Sequence, residues 1–265
     1  MAGRILVGRA EVALPTLEPE SVHLVVTSPP YNVDIDYDAS DDLLSESQYW
    51  TMIWDVMSGC WRALAPGGRL CWNVVYYRGR GEAGGDGADI FGPRHEEMLM
   101  ELPGAYCRGS VIWHKLLAAS PMSSWGSWMS PSNPVMRDEH EMVYVVSKGP
   151  GRKDRSGPGD ISREDFLRAT RSVWEISAAS PKTVGHPVPF PPELVRRLVQ
   201  LYSWPGDVVL DPFLGSGTTG LVAESLGREW VGIEVSRSYA ELALERTTLF
   251  PGVAAPSLEV VGDPN

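Results

Sequence analysis

The amino-acid sequence predicts an α/β fold with a doubly wound, mostly parallel sheet. Short apolar segments typical of buried strands alternate along the chain with longer segments of helical periodicity. Two of the apolar segments end in turns rich in proline or glycine, at residues 28–30 and 212–217, where open α/β sheets place their ligands. The length of 265 residues is sufficient for one large domain with a sizeable buried core.

The first half of the chain contains four predicted strands and one long helix. The helix is predicted over residues 45–64, because Ser45 can act as the N-cap and Gln48 lies three residues on, as in a capping box. Residues 79–92 are too rich in glycine for regular structure and are predicted to form a surface loop. The helix has apolar residues at spacings of three and four that are expected to form one buried face: Trp50, Ile53, Trp54, Met57 and Trp61. The predicted strands are residues 4–8, 22–26, 69–76 and 109–115.

The second half contains three further predicted strands and three helices. Pro191 and Pro192 suit the first turn of a helix, and Ser236 is a candidate N-cap for the last helix. A glycine-rich turn and a helix follow the second of these strands, and residues 251–265 are interpreted as a tail. The predicted strands are residues 141–147, 206–213 and 228–235.

Composition limits the classes of protein that the chain can belong to. Hydrophobic residues make up 43% and charged residues 22%, as in ordinary globular proteins, and no apolar segment approaches the roughly 20 residues that span a bilayer. The N-terminal sequence shows no signal peptide. Cys60, Cys71 and Cys107 are scattered and odd in number, which favours reduced thiols in the cytoplasm and argues against a metal site or a disulfide framework.

Charge is unevenly distributed along the chain. The net charge of −11 argues weakly against a polyanionic partner. Residues 148–182, however, carry eight basic and five acidic side chains. A local basic surface on an acidic protein is compatible with phosphate contacts, and a solvated loop of mixed charge explains the same composition equally well.

Residues 208–220, VVLDPFLGSGTTG, predict a strand, a glycine-rich turn and the start of a helix. Gly215 and Gly217 allow close approach to the backbone, and free N–H groups at a helix N-terminus can bind an anionic group. The turn lacks the lysine of a phosphate-binding P-loop. Glu234 ends the next predicted strand, where an acid can accept hydrogen bonds from both ribose hydroxyls of a nucleoside. Turn and acid together indicate a nucleoside-containing ligand.

Residues 27–32, TSPPYN, follow the strand predicted at 22–26. The two prolines fix φ twice and remove two backbone donors, so the carbonyls of Ser28 and Pro29 are free to point into a cleft. Tyr31 adds a flat aromatic face. Acceptors beside an aromatic ring suit the exocyclic amine of a flipped base, although four residues alone fit a plain proline-rich turn as well.

The two motifs together resemble those of β-class DNA amino-methyltransferases, which use S-adenosylmethionine to methylate adenine N6 or cytosine N4. TSPPYN is similar to the family's catalytic motif, and DPFLGSGTT, residues 211–219, is similar to its cofactor motif. Residues 185–194, GHPVPFPPEL, resemble the family's additional cofactor-binding segment, and residues 63–74 and 140–148 resemble two further units of its sheet. The catalytic motif precedes the cofactor motif, which is the order of the circularly permuted β class.

This resemblance covers roughly residues 4–248. It implies one Rossmann-like methyltransferase domain over residues 1–250, with cofactor motifs at 185–192 and 208–234 and a small inserted recognition region. The resemblance implies a catalytic role for Ser28, Pro29, Pro30 and Tyr31. It also implies which residues bind the methionine side of the cofactor: Phe213, Gly215, Ser216, Gly217, Thr218 and Thr219, with Asp211 nearby. Glu234 corresponds to the ribose-binding acid, and the segment that closes over the cofactor contributes His186, Pro187 and Phe190.

The chemistry of an aryl amine explains why the resemblance implies these residues. The amine is a poor nucleophile because its lone pair is delocalised into the ring. Acceptors at the Ser28 hydroxyl and the Pro29 carbonyl would hold both amine protons and free the lone pair for attack on the sulfonium methyl group, while Tyr31 would stack on the extruded base. Members with serine at the first motif position are mostly cytosine-N4 enzymes, which favours cytosine over adenine.

The resemblance places DNA recognition in a variable segment within residues 116–172. Two stretches are candidates, residues 116–139 and 149–172. Trp125 and Trp128 could wedge into the duplex or pack against the roof of the cofactor site. The basic residues expected to contact phosphates are Arg152, Lys153 and Arg155. Because both stretches are short, we expect a short target in double-stranded DNA or a homodimer that shares the DNA contacts.

Three alternatives remain open at the level of sequence. An RNA or protein amide methyltransferase usually has asparagine at the first motif position and the opposite motif order. A dinucleotide-binding oxidoreductase would explain the glycine turn and Glu234 but not TSPPY. A catalytically silent DNA-binding module would not need both motifs intact. The sequence gives neither the target site nor an answer to whether a restriction nuclease accompanies the protein.

Overall fold

A nine-stranded sheet organises the described part of the protein, and the two predicted motifs follow neighbouring strands of this sheet. The computed structural model describes residues 3–33, 44–79, 88–116, 126–134, 136, 139–151, 153, 157–179, 189–248 and 255–262. Within these residues the strands are β1 Arg4–Val7, β2 Val22–Thr27, β3 Leu64–Val75, β4 Tyr77–Gly79, β5 Ala88–Ile90, β6 Ala105–His114, β7 His140–Lys148, β8 Val173–Glu175, β9 Val208–Asp211, β10 Glu229–Glu234 and β11 Ser257–Val260.

The order of strands in the large sheet is β11-β1-β10-β9-β2-β3-β7-β6-β8. All neighbours from β11 to β3 are parallel, whereas β7 runs antiparallel to both β3 and β6. The predicted mostly parallel, doubly wound α/β sheet is therefore confirmed. Strands β4 and β5 form a separate antiparallel pair.

Helices connect the strands and pack on both faces of the sheet. They are α1 Ala10–Ala13, α2 Glu46–Ala63, α3 Gly92–Glu101, α4 Arg163–Ala169, α5 Pro192–Tyr202, α6 Thr218–Ser225 and α7 Arg237–Thr247. Two groups of buried apolar side chains form the core, one on each face. In the described part of the chain, no helix is both long and apolar enough to cross a membrane.

Helix α2 begins as the sequence predicts. The Ser45 side chain accepts a hydrogen bond from the Gln48 backbone N–H, and the Gln48 side chain accepts one from the Ser45 backbone N–H, so the capping box is formed. Trp50, Ile53, Met57 and Trp61 are buried, and Trp54 packs partly buried against the same core. The helix leads directly into β3, which begins at Leu64 rather than at residue 69.

The prediction of a loop over residues 79–92 is wrong for the end of that segment. Residues 88–90 pair with β4 as β5, and α3 begins at Gly92 with a proline at its first turn. Backbone pairing and the helix start, rather than the local glycine content, decide the structure there. Residues 80–87 lie outside the described part.

The interpretation of residues 251–265 as a tail needs a second correction. Residues 257–260 form β11, which pairs in parallel with β1 from Arg4 to Val7. Its side chains are mostly exposed, because an edge strand is held by backbone hydrogen bonds and buries little apolar surface. Such a strand leaves almost no hydrophobic pattern in the sequence.

Candidate active site

The diproline motif and the glycine turn meet at one edge of the sheet. Strands β2 and β9 are parallel neighbours in the sheet order, so the segments that leave their carboxyl ends emerge side by side. The Thr27 hydroxyl donates a 2.7 Å hydrogen bond to Oδ1 of Asp211 and ties the two strand ends together. A cavity of about 470 Å³ opens at this edge and is lined by residues of both motifs.

The catalytic-motif candidates Ser28, Pro29, Pro30 and Tyr31 all line this cavity. The Tyr49 hydroxyl donates a 2.9 Å hydrogen bond to the Pro30 carbonyl. Within the described part of the chain, no backbone group donates a hydrogen bond to the Pro29 carbonyl. The motif therefore holds one carbonyl in place and leaves the preceding one as an acceptor for a ligand.

Asn32 closes the motif with an unusual backbone conformation. Its φ of 57° lies in the left-handed region, which asparagine tolerates better than most residues. The side-chain amide donates to the Leu44 carbonyl and accepts from the Leu44 N–H, both at 2.8 Å. These two bonds fix the exit of the motif against the start of the segment that enters α2.

A buried polar cluster adjoins Ser28 and Tyr31. The Tyr31 hydroxyl donates to Oε2 of Glu141 at 3.0 Å and lies 3.1 Å from Oγ of Ser28. Nδ2 of Asn73 donates to the same Glu141 oxygen, and Nζ of Lys115 lies 2.5 Å from Oε1. A buried charge needs a partner of this kind to be tolerated.

The glycine turn is shaped by a close contact with α7. Gly217 has a φ of 83°, and a Cβ there would lie 2.7 Å from Cβ of Ala243. Only glycine adopts this conformation without strain and leaves room for the neighbouring helix. The turn therefore holds α6 and α7 together while its other residues face the cavity.

Asp211 links the two motifs through the oxygens of one carboxylate. Oδ1 accepts from the Thr27 hydroxyl and from the Phe213 N–H at 3.1 Å, and Oδ2 accepts from the Thr219 hydroxyl at 2.6 Å. Burial raises the pKa of this carboxyl to about 6, against the hydrogen bonds from Thr219, Thr27 and Phe213 that lower it. Asp211 thus fixes the turn relative to β2.

Glu234 lies at the end of β10 and faces the cavity. Its Oε2 accepts from the Gly215 N–H at 2.7 Å and its Oε1 accepts from the Ser236 N–H at 2.8 Å. Burial raises the pKa of this carboxyl to about 7, although backbone hydrogen bonds lower it. Each carboxylate oxygen has a second lone pair that can accept from a ligand hydroxyl.

Comparison with known proteins identifies the family to which this chain belongs. A family model described as DNA methylase (N6_N4_Mtase) matches residues 22–245. The chain belongs to this family of DNA amino-methyltransferases. The methyltransferase is 31% identical to the Type II methyltransferase M.SmaI of Serratia marcescens, over 92% of this chain and 90% of that protein. It is 29% identical to M.MjaI of Methanocaldococcus jannaschii, over 87% and 86% of the two chains.

Solved structures agree with this assignment. TTHA0409 of Thermus thermophilus, assigned as a DNA modification methylase and solved with S-adenosyl-L-methionine, has a TM-score of 0.71 at 31% identity, over 98% of both chains. The PvuII DNA methyltransferase, named as cytosine-N4-specific, has a TM-score of 0.74 at 22% identity, over 98% of this chain and 95% of that one, which shows the shared fold. The methyltransferase uses S-adenosyl-L-methionine and acts on DNA, which excludes the oxidoreductase alternative.

The residues of the cavity fit S-adenosyl-L-methionine. Glu234 would provide a buried acceptor for the two ribose hydroxyls, and Phe190 would provide an apolar wall for a flat base. Gly215 and Ser216 of the glycine turn also line the cavity. A buried acid, an apolar wall and a glycine turn match the ribose, adenine and amino-acid parts of this cofactor in chemical character.

Most of the predicted cofactor residues of the methyltransferase line the cavity. Gly217 is not among the described residues that line the cavity and acts by shaping the turn. His186 and Pro187 lie outside the described residues. The others line the cavity: Phe190, Asp211, Phe213, Gly215, Ser216, Thr218, Thr219 and Glu234.

The structure describes only part of the segment predicted to recognise DNA. Trp125, Arg152 and Arg155 lie outside the described residues. Trp128 is 66% exposed, so a side chain packed against the cofactor site is not what the structure shows. The stretch predicted as a variable loop at residues 149–172 contains a short helix, α4, because Ser162 caps it at the Asp165 N–H.

Lys153, which the sequence predicts to contact phosphate, is engaged within the protein in this structure. Its Nζ donates to the Tyr202 carbonyl at 2.6 Å and lies 3.3 Å from Oδ2 of Asp207. The side chain is only 9% exposed, and burial lowers its pKa against the effect of Asp207. Lys153 thus anchors its segment to the end of α5.

Four residues near the motif were not identified from the sequence: Tyr49, Asn73, Lys115 and Glu141. Asn73 and Glu141 are polar residues within otherwise apolar strands, and such a residue needs a buried partner or a ligand. That signal was present in WNVV and HEMVYVV. Tyr49 carried none, because it fits the apolar face of α2.

Proposed function

We propose that the protein is a site-specific DNA methyltransferase that methylates N4 of cytosine flipped out of duplex DNA. The observation that carries the proposal is that Ser28, at the first position of the catalytic motif, lines the cavity. A neutral hydroxyl is a weaker acceptor than the aspartate commoner in adenine-N6 members. The alternative product is N6-methyladenine.

The catalytic residues hold the target amine. Ser28 Oγ and the Pro29 carbonyl accept the two amine protons, which draws the nitrogen toward a tetrahedral geometry and frees its lone pair. Tyr31 stacks on the base, a contact worth about 1–3 kcal/mol in single-strand recognition. Pro30 fixes the corner, and Tyr49 fixes the carbonyl of Pro30.

The cofactor residues hold the methyl donor beside this amine. Bound S-adenosyl-L-methionine supplies an electrophilic methyl group on a sulfonium. Glu234 accepts from the ribose hydroxyls, and Asp211 keeps the turn in register with β2. Phe213, Gly215, Ser216, Gly217, Thr218 and Thr219 surround the methionine part, while His186, Pro187 and Phe190 close over the cofactor.

The identity of the methylated nucleoside tests this proposal. The full chain is incubated with labelled S-adenosyl-L-methionine and unmethylated mixed-sequence duplex DNA, and the DNA is digested to nucleosides for mass spectrometry. We expect label in N4-methylcytosine, and loss of that label in Ser28→Ala at unchanged cofactor affinity. Label in N6-methyladenine alone would overturn the cytosine assignment, and label in RNA or protein alone would overturn the substrate class.

DNA recognition and assembly belong to the same proposal. Trp128, exposed in a short turn at residues 126–134, is proposed to contact the duplex together with Trp125, Arg152 and Arg155. A homodimer that shares these contacts and a restriction nuclease of the same specificity are the proposed partners. Sedimentation with and without duplex DNA tests the dimer, and Trp128→Ala should weaken DNA binding without changing cofactor affinity.

A further inference from the structure

The buried cluster around Glu141 joins three strands at the catalytic motif. Glu141 at the start of β7 is 4% exposed, and Asn73 near the end of β3 is 1% exposed. Oε2 of Glu141 accepts from Tyr31 and from Asn73, while Oε1 is paired with Lys115. A carboxylate removed from water and held on both oxygens is costly to build, so its position beside the target amine calls for a functional explanation.

The cluster imposes a single direction on its hydrogen bonds. An ionised carboxylate can only accept, so Tyr31 donates its one hydroxyl proton to Glu141. Because that proton is committed, Ser28 must be the donor in the 3.1 Å contact between Oγ of Ser28 and the Tyr31 oxygen. Ser28 then offers a lone pair, and not its proton, to a ligand in the cavity.

Asn73 reinforces this direction. Its Nδ2 lies 3.4 Å from both Oγ of Ser28 and the Tyr31 hydroxyl, and closer to Oε2 of Glu141. Turning the amide over would place Oδ1 against the carboxylate, so Glu141 also fixes which end of Asn73 faces the motif. Two donors and one hydroxyl chain therefore converge on the same carboxylate.

We propose that Glu141 is a positioning residue that sets the direction of the chain from Ser28 through Tyr31, and that it receives the proton lost by the methylated amine. The proposal rests on amine methylation as the function of the site. Without Glu141, Ser28 could turn its own proton toward the amine, and two donors would then face each other. With Glu141, the hydroxyl meets the amine as an acceptor.

The proton balance follows the same chain. The target nitrogen forms a bond to the methyl carbon as the sulfur–carbon bond breaks, so the positive charge moves from sulfur to nitrogen. The nitrogen then loses one proton to Oγ of Ser28, the Ser28 hydroxyl proton passes to Tyr31, and the Tyr31 proton passes to Oε2 of Glu141. The product amine is neutral and Glu141 is a carboxylic acid, which returns the proton to water after product release.

The test compares methylation kinetics of the full chain and of Glu141→Gln on unmethylated duplex DNA. The amide oxygen of glutamine would face Lys115, and its NH2 group would face Tyr31 and reverse the chain. We expect kcat to fall roughly 10- to 100-fold, the range for losing a hydrogen bond to a charged group. The KM for DNA and the Kd for S-adenosyl-L-methionine should stay within about threefold, because Glu141 acts by orienting Tyr31, Ser28 and Asn73.

Tyr31→Phe provides a second variant that keeps the aromatic ring and removes the hydroxyl. Its kcat should fall by a similar factor, and adding Glu141→Gln to it should cause no further loss, because the chain is already broken at Tyr31. The matched control is Glu175→Gln on β8, which removes the same charge from an exposed position and should leave kcat unchanged.

Two results would overturn the proposal. One is a kcat for Glu141→Gln within about threefold of the unaltered protein. The other is a further large loss when Glu141→Gln is added to Tyr31→Phe, which would show that Glu141 acts by supporting the fold. Either result would leave methylation by the unaltered protein intact, whereas absence of any methylated nucleoside would instead overturn the function on which the proposal rests.

Discussion

At the scale of residues, two buried carboxylates at the ends of neighbouring strands have different tasks. Asp211 accepts from Thr27, Thr219 and the Phe213 N–H, so its oxygens are occupied largely by side chains of the protein itself. Glu234 accepts from the backbone N–H groups of Gly215 and Ser236. The first acid braces the site, and the second retains lone pairs for a cofactor.

The raised pKa of Glu234 predicts a pH dependence of cofactor binding. Its pKa of about 7 means that the carboxylate is protonated in part at neutral pH. Ribose hydroxyls favour the ionised acceptor, so binding lowers this pKa and affinity rises with pH until the free protein is fully ionised. The Kd for S-adenosyl-L-methionine should therefore increase by up to about tenfold per pH unit below pH ~7 and level off above it.

Titration calorimetry between acidic and mildly alkaline pH measures this dependence. Glu234→Gln cannot ionise, so its affinity should be low and nearly constant across the range. A constant affinity for the unaltered protein would show that Glu234 is not the acceptor of the ribose hydroxyls.

The hydrogen bond between Thr27 and Asp211 predicts a cost in stability. Thr27→Val keeps the shape of the side chain and removes the donor to a buried carboxylate. The free energy of unfolding should fall by about 1.5–3 kcal/mol, as for hydrogen bonds to charged groups. Urea denaturation gives the value, with Thr16→Val at an exposed position as control. Equal losses in both variants would argue against a bracing role for Asp211.

At the scale of elements, the glycine turn depends on how closely α6 approaches α7. Gly217 and Gly149 have nearly the same positive φ, of 83° and 86°, but a Cβ at Gly149 would meet nothing within 4 Å. Alanine substitutions at these two glycines therefore separate the energetic cost of backbone strain from the cost of steric overlap.

Alanine at these two glycines should have unequal effects. Gly149→Ala should cost about 1–2 kcal/mol from strain alone, while Gly217→Ala should add roughly 1–3 kcal/mol from overlap with Ala243 and weaken cofactor binding. Thermal unfolding and calorimetry of both variants provide the comparison. Equal costs and unchanged cofactor affinity would mean that the turn does not depend on this contact.

Elements with strong local signals were predictable, and those held by distant pairing were not. The capping box at Ser45 and the prolines before α5 fixed two helices from the sequence. Strand β11 and the extension of β3 back to Leu64 depend on partner strands far away in the chain. Ser28 and Glu234 were predicted because they belong to motifs that are local in the sequence. Glu141 was not, because it reaches the site through the pairing of β7 with β3.

At the scale of the whole molecule, function depends on sheet topology. Thr27 and Asp211 are 184 residues apart in sequence and hydrogen-bonded in the fold. Parallel pairing of β2 with β9 places both motifs at the carboxyl ends of their strands, where open α/β sheets bind ligands. Strand pairing, and not nearness in the sequence, therefore brings the two motifs together.

A crystal structure of the protein with S-adenosyl-L-methionine tests this central claim most directly. We predict ribose hydroxyls against the Glu234 carboxylate and a sulfonium methyl group directed at the space between Oγ of Ser28 and the Pro29 carbonyl. A cofactor bound elsewhere on the sheet, or a methyl group directed away from Ser28, would contradict the account.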